Sequence, residues 1–117
     1  MLYVPPMQLP RDQFIAQFAI PFHVHCLKLW SRRGYTPPYA VGRCCFEWIG
    51  VTNGSVTLKA HEFTELVRPV IDELFRLTPK GQRPDANFLA AKVYDALDAA
   101  GAEVTIKPPV GTGGGRG

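Results

Sequence analysis

From Ala60 to Phe75 the apolar residues Phe63, Leu66, Val67, Val70, Ile71, Leu74 and Phe75 recur every three or four positions. That spacing puts them on one face of a helix and leaves His61, Glu62, Glu65, Arg68, Asp72 and Glu73 away from it. A helix with one apolar face has to be covered, so the rest of the chain must supply a second layer. Pro69 lies inside the pattern; it lacks a backbone donor and predicts a kink. After the connector from Thr78 to Arg83, Pro84 and Asp85 are placed to open another helix, with Phe88, Leu89, Val93, Ala96, Leu97 and Ala100 on its inner side. Gly101 stands at the preferred C′ position. Glu103 to Lys107 reads as a closing strand with Val104 and Ile106 on one side.

The first half of the chain reads differently. Met1 to Leu9 is an apolar arm interrupted by Pro5 and Pro6, and the segment after Pro10 carries Phe14 and Phe18, and Ile15 and Ala19, at i, i+4 spacing. This predicts a short helix ending at Pro21, although Phe14, Ala16, Phe18 and Ile20 also alternate as a strand would. Phe22 to Trp30 reads as a strand with Phe22, Val24 and Cys26 on one face and His23 and His25 on the other. Tyr39 to Ile49, rich in aromatic and small residues, reads as its antiparallel partner. Asn53-Gly54 is a type I′ hairpin signal, after which Val56 to Leu58 supplies a third strand. A chain of 117 residues has room for one hydrophobic core. The expected fold is therefore α+β: a small antiparallel sheet of about four strands with two C-terminal helices packed on one face. Residues 10–107 form the domain, between the arm at 1–9 and a glycine-rich tail at 108–117 that cannot build a core.

The chemistry-bearing side chains concentrate between Phe22 and Trp48. Thirteen basic residues face ten acidic ones, a net charge of +3, yet Lys28, Arg32, Arg33 and Arg43 follow one another with no acid before Glu47. Interleaved with Trp30, Tyr35 and Tyr39, they have the composition of a surface that neutralises phosphates and stacks unpaired bases. The same residue types anchor protein interfaces. His23 and His25, sharing a strand face, could both ligate zinc, but a third ligand would have to come from His61 or a cysteine. Cys26, Cys44 and Cys45 are odd in number and lack CxxC spacing, which speaks against a disulfide framework and for a reducing, cytoplasmic setting. Cys44 or Cys45 would need a base and a thiolate-favouring environment to act as a nucleophile, and nothing in the sequence marks either as activated. No apolar run approaches the length of a membrane span.

Val56-Thr57-Leu58, His61-Glu62-Phe63-Thr64-Glu65-Leu66, Arg83-Pro84-Asp85-Ala86-Asn87-Phe88-Leu89-Ala90 and Val104-Thr105-Ile106-Lys107 follow one another in an order that resembles the tunnelling-fold pterin synthases, the 6-pyruvoyl- and 6-carboxytetrahydropterin synthase family. The resemblance covers residues 55–107 and implies the strand–helix–helix–strand order of that fold. The family's zinc-binding histidines and catalytic cysteine are not matched, and Lys107-Pro108 stands where its pterin-anchoring glutamate would follow. The expected function is thus a non-enzymatic binding or assembly module without a cofactor, such as an accessory subunit of a larger, viral or mobile-element complex, able to form homo-oligomers. It would contact a protein partner or single-stranded nucleic acid through Lys28, Trp30, Arg32, Arg33, Tyr35, Tyr39 and Arg43. The alternative is a divergent tunnelling-fold or zinc-dependent enzyme using His23, His25 and a cysteine.

Overall fold

Phe14, Phe18, Phe22 and Cys26 are spaced by four and are all fully buried, and this ladder sets the course of the first half of the molecule. In the computed structural model, which describes residues 7–29, 38–79 and 82–106, the ladder is helical throughout. Helix α1 (Arg11–Pro21) passes directly into a π-helix (Phe22–Cys26) and a 3-10 turn (Leu27–Leu29). Pro21 does not end it. The proline has no N–H to give to the preceding turn; the chain widens instead, and the Leu27 N–H donates to the Phe22 carbonyl five residues back.

The expected strand from Phe22 to Trp30 is therefore absent over the described residues 22–29, and so is its partner. Residues Pro38–Val51 form helix α2. Its buried residues Val41, Gly42, Cys45 and Ile49 follow helical spacing. In a strand the face holding Val41, Cys45 and Ile49 would also have held Arg43 and Glu47, both of which are exposed here. Asn53 adopts φ 68°, but it serves the exit from α2 and not a hairpin: its N–H donates to the Gly50 carbonyl.

The second half contains the two expected helices and the closing strand, whereas the strand expected at Val56–Leu58 lies earlier, at Gly54–Val56. Strand β2 (Gly54–Val56) precedes α3 (Ala60–Leu77), and α4 (Ala86–Ala99) precedes β3 (Val104–Ile106). Helix α3 is continuous across Pro69. Asp85 caps α4 by accepting a hydrogen bond from the Asn87 N–H at 2.9 Å, and Gly101 leaves the helix at φ 74°. The sheet is smaller than expected and is not a meander. Strand β1 (Met7–Gln8) and β2 both pair antiparallel with β3, in the order β1-β3-β2. The fold is thus mostly helical, with three short strands, and corrects the expectation of a four-stranded sheet carrying two helices.

Neighbouring helices run antiparallel. Arg11 holds Asp95 and Phe14 packs on Tyr94 near one end of the α1–α4 pair, while Ala19 and His23 meet Asp85 and Ala86 near the other. Gly42 lies against Val67 and Ile71, and Phe46 against Phe63, which aligns α2 antiparallel to α3. The four helices alternate in direction around one core. The sheet closes the end where α1 and α3 begin and α2 and α4 finish. The opposite end carries the π-helix, the start of α2, the end of α3 and the start of α4. The arm at 1–6, the segment 30–37 and the tail lie outside the described residues.

Candidate functional site

The two segments that join α1 to α2 and α3 to α4 concentrate positive charge in the sequence. Residues 22–37 and 78–85 hold Lys28, Arg32, Arg33, Lys80 and Arg83 against Asp85 alone; the eight basic and nine acidic residues elsewhere in the sequence nearly cancel. Lys28 and Arg83 are exposed, as are Tyr39 and Arg43, which lie one turn apart at the start of α2. Arg43 reaches Glu47 at 3.6 Å, with both side chains more than half exposed; such a pair contributes little and leaves the guanidinium free to exchange partners. Of the expected surface, Lys28, Tyr39 and Arg43 are thus brought to one end. Trp30, Arg32, Arg33 and Tyr35 lie outside the described residues.

The same end exposes apolar side chains that the sequence did not single out as a surface. Ile20 is 71% exposed, Leu77 54%, Val24 47%, Tyr39 44% and Phe88 40%; among the described residues only Val51, at the sheet end, is a further exposed large hydrophobic. Ile20 and Val24 follow at i, i+4 across the junction of α1 with the π-helix. Beside them is an open groove of about 300 Å³ lined by Ala19, Ile20, His23, Asp85, Ala86 and Asn87. Phe88, expected on the inner side of α4, is exposed in its first turn, and only the directions of the helices gather it with Ile20, Val24 and Leu77.

The histidines and cysteines have other roles. On the expected strand His23 and His25 would have shared a face, but on the π-helix they part. His23 lines the groove against the start of α4. His25 stacks on Trp48 of α2, ring centroids 3.6 Å apart and planes within 4°. Among the described residues no group of three or more His, Cys, Asp or Glu side chains is arranged to hold a metal ion. All three cysteines meet where the π-helix packs on α2, and all are free thiols. The Cys44 Sγ lies 3.6 Å from the His25 carbonyl oxygen, to which it donates.

Burial and contact with the Cys26 thiol push Cys44 up to about 12. Contact with the Cys45 thiol, together with burial, pushes Cys26 far above the ordinary thiol range. These two groups stay protonated at neutral pH and make poor nucleophiles. They act as small packing residues that join the π-helix to α2. No helix among the described residues is long and apolar enough to cross a membrane. No family model, curated protein or solved structure matches this chain.

Proposed function

We propose that the chain is a non-catalytic binding or assembly module that holds an anionic partner against the end of the bundle opposite the sheet. The observation that carries this reading is that Lys28, Tyr39, Arg43 and Arg83 are exposed toward the end opposite the sheet, where the sequence from Lys28 to Arg43 runs without an acid. Basic side chains with aromatic neighbours steer and retain negative partners. The arginines suit this task because a guanidinium presents several donors to a carboxylate or phosphate at once.

Titrating fluorescent anionic probes, a single-stranded oligonucleotide and a glutamate-rich peptide, over a series of salt concentrations tests the reading. Replacing Arg32 and Arg33 together by alanine should weaken whichever probe binds and reduce the slope of log K against log salt by about two. An unchanged slope, or no binding of either probe to the parent chain, removes it.

A further inference from the structure

All three cysteines of the chain share the seam between the π-helix and α2, and they differ in how far water reaches them. Cys26 ends the π-helix and is fully buried, as is Cys45 on α2; Cys44, the position before it, is half-buried. The Cys26 thiol touches both of the others. The Cys44 Sγ lies 3.6 Å from the carbonyl oxygen of His25, the residue bonded to Cys26, and the stack of His25 on Trp48 holds the two elements in register. Consecutive residues of a helix do not face each other, so Cys44 and Cys45 reach Cys26 from different sides and not one another. Buried thiols commonly do no more than pack. What sets this group apart is that a thiol reachable from solvent touches one that is not.

We infer that Cys26 and Cys44 are a redox-sensitive staple, which a small disulfide such as glutathione disulfide oxidises to a covalent tie between the π-helix and α2. In the first step the Cys44 Sγ, having lost its proton, attacks one sulfur of the glutathione disulfide. A Cys44–glutathione bond forms, the glutathione S–S bond breaks, and the glutathione that leaves takes up a proton. The Cys26 Sγ then attacks the Cys44 sulfur, forming the Cys26–Cys44 bond and expelling the second glutathione, which takes the proton Cys26 gives up. Two protein thiols are oxidised by two electrons and one disulfide is reduced to two thiols. The second step is favoured because the two thiols are already in contact, so that it is intramolecular. Burial disfavours the charged thiolate at both positions but not the uncharged disulfide. It therefore slows the first step without weakening the product. The bond closes the chain between residues 26 and 44 into a loop and restricts the unfolded state, so the oxidised form is the more stable one.

The test equilibrates the full chain in glutathione buffers of graded ratio of squared thiol to disulfide, once in native buffer and once in urea, traps the remaining thiols with a maleimide in acid, and reads intact mass and tryptic peptides. The native chain should lose two hydrogens and yield a peptide containing Cys26 linked to the one containing Cys44 and Cys45, which trypsin does not separate. Cys45→Ser should keep that link and Cys44→Ser should abolish it. Half-oxidation of the native chain should fall at a ratio about tenfold or more above that in urea. The oxidised chain should unfold at a higher urea concentration than the reduced one and return to the lower midpoint when dithiothreitol is added. Circular dichroism confirms that each variant folds, and Cys44→Ala replaces Cys44→Ser if the latter does not.

The inference is overturned if the native chain gives no linked peptide, or if half-oxidation falls at the same ratio in native buffer and in urea. A link that survives Cys44→Ser and is lost in Cys45→Ser assigns the bond to the wholly buried pair and overturns it too. Glutathione adducts or disulfide-linked dimers as the main product, or an oxidised chain no more stable than the reduced one, have the same consequence.

Discussion

Single residues decide how tightly the helices approach. A Cβ built on Gly54 would come within 2.7 Å of the Ile49 Cγ2 and 2.8 Å of the Ile49 carbonyl oxygen, and the carbonyl belongs to the backbone of α2 and cannot swing away. Gly54→Ala is therefore expected to destabilise the fold by about 1–3 kcal/mol, read as a lower urea midpoint with an unchanged slope. Phe18 is fully buried, 4.8 Å from Phe14 and 6.1 Å from Phe22 by ring centroids. Its replacement by alanine should cost about 3–5 kcal/mol by the same measurement. The thiols make the opposite kind of prediction. With Cys44 at about 12, iodoacetamide should label it slowly in the folded protein at pH 7 and quickly after denaturation; rapid labelling of the native chain would contradict the packing role. The i, i+4 run of Phe14, Phe18, Phe22 and Cys26 was legible in the sequence. Pro21 hid it, because a proline is normally a helix stop and the π-turn that accommodates this one has no sequence signature.

At the level of elements, the caps are the clearest link from sequence to structure. Asp85 caps α4 through the Asn87 N–H, and Asp85→Ala is expected to cost about 1 kcal/mol, measured by thermal or urea unfolding. Helices α3 and α4 and strand β3 could be read from periodicity because their polar faces are continuous. Helix α2 could not be read so directly. Its sequence mixes β-favouring aromatics with Gly42 and two cysteines, and its buried stripe of Val41, Cys45 and Ile49 is narrow. Gly42 is buried in that stripe because its missing side chain lets α3 approach, with Val67 Cγ2 3.2 Å from where a Cβ would stand. Local preference for strand was thus overruled by a helix–helix contact. Once both expected strands became helices, the four-stranded sheet lost its members, and only short pairings on β3 remained.

For the whole molecule, the link between α1 and α4 gives stability a small dependence on acid, since both side chains are about half exposed and water screens the pair. The Arg11 guanidinium meets Asp95 through two hydrogen bonds, 2.8 and 3.1 Å long, and this holds the Asp95 carboxyl below its usual range. A carboxyl lowered in the folded state contributes stability that is present above its unfolded value, about 4, and is lost as pH falls through the folded value. Asp95→Asn should therefore remove part of the drop in stability on acidification below pH 4 while changing little below the folded value, measured as urea midpoints against pH. The same arrangement of helices gathers Lys28, Tyr39, Arg43 and Arg83 at one end with Ile20 and Val24. By itself the sequence determined the two C-terminal helices, the caps of the second, the closing strand and the run of basic residues without an acid, because each is written in spacing along a few turns. Only the tertiary structure decided that residues 22–29 and 38–51 are helical, that His23 and His25 face apart, and that apolar termini of different helices share one end. Those outcomes depend on contacts between residues distant in the chain, where burial outweighs local preference and the antiparallel course of the helices sets which ends meet.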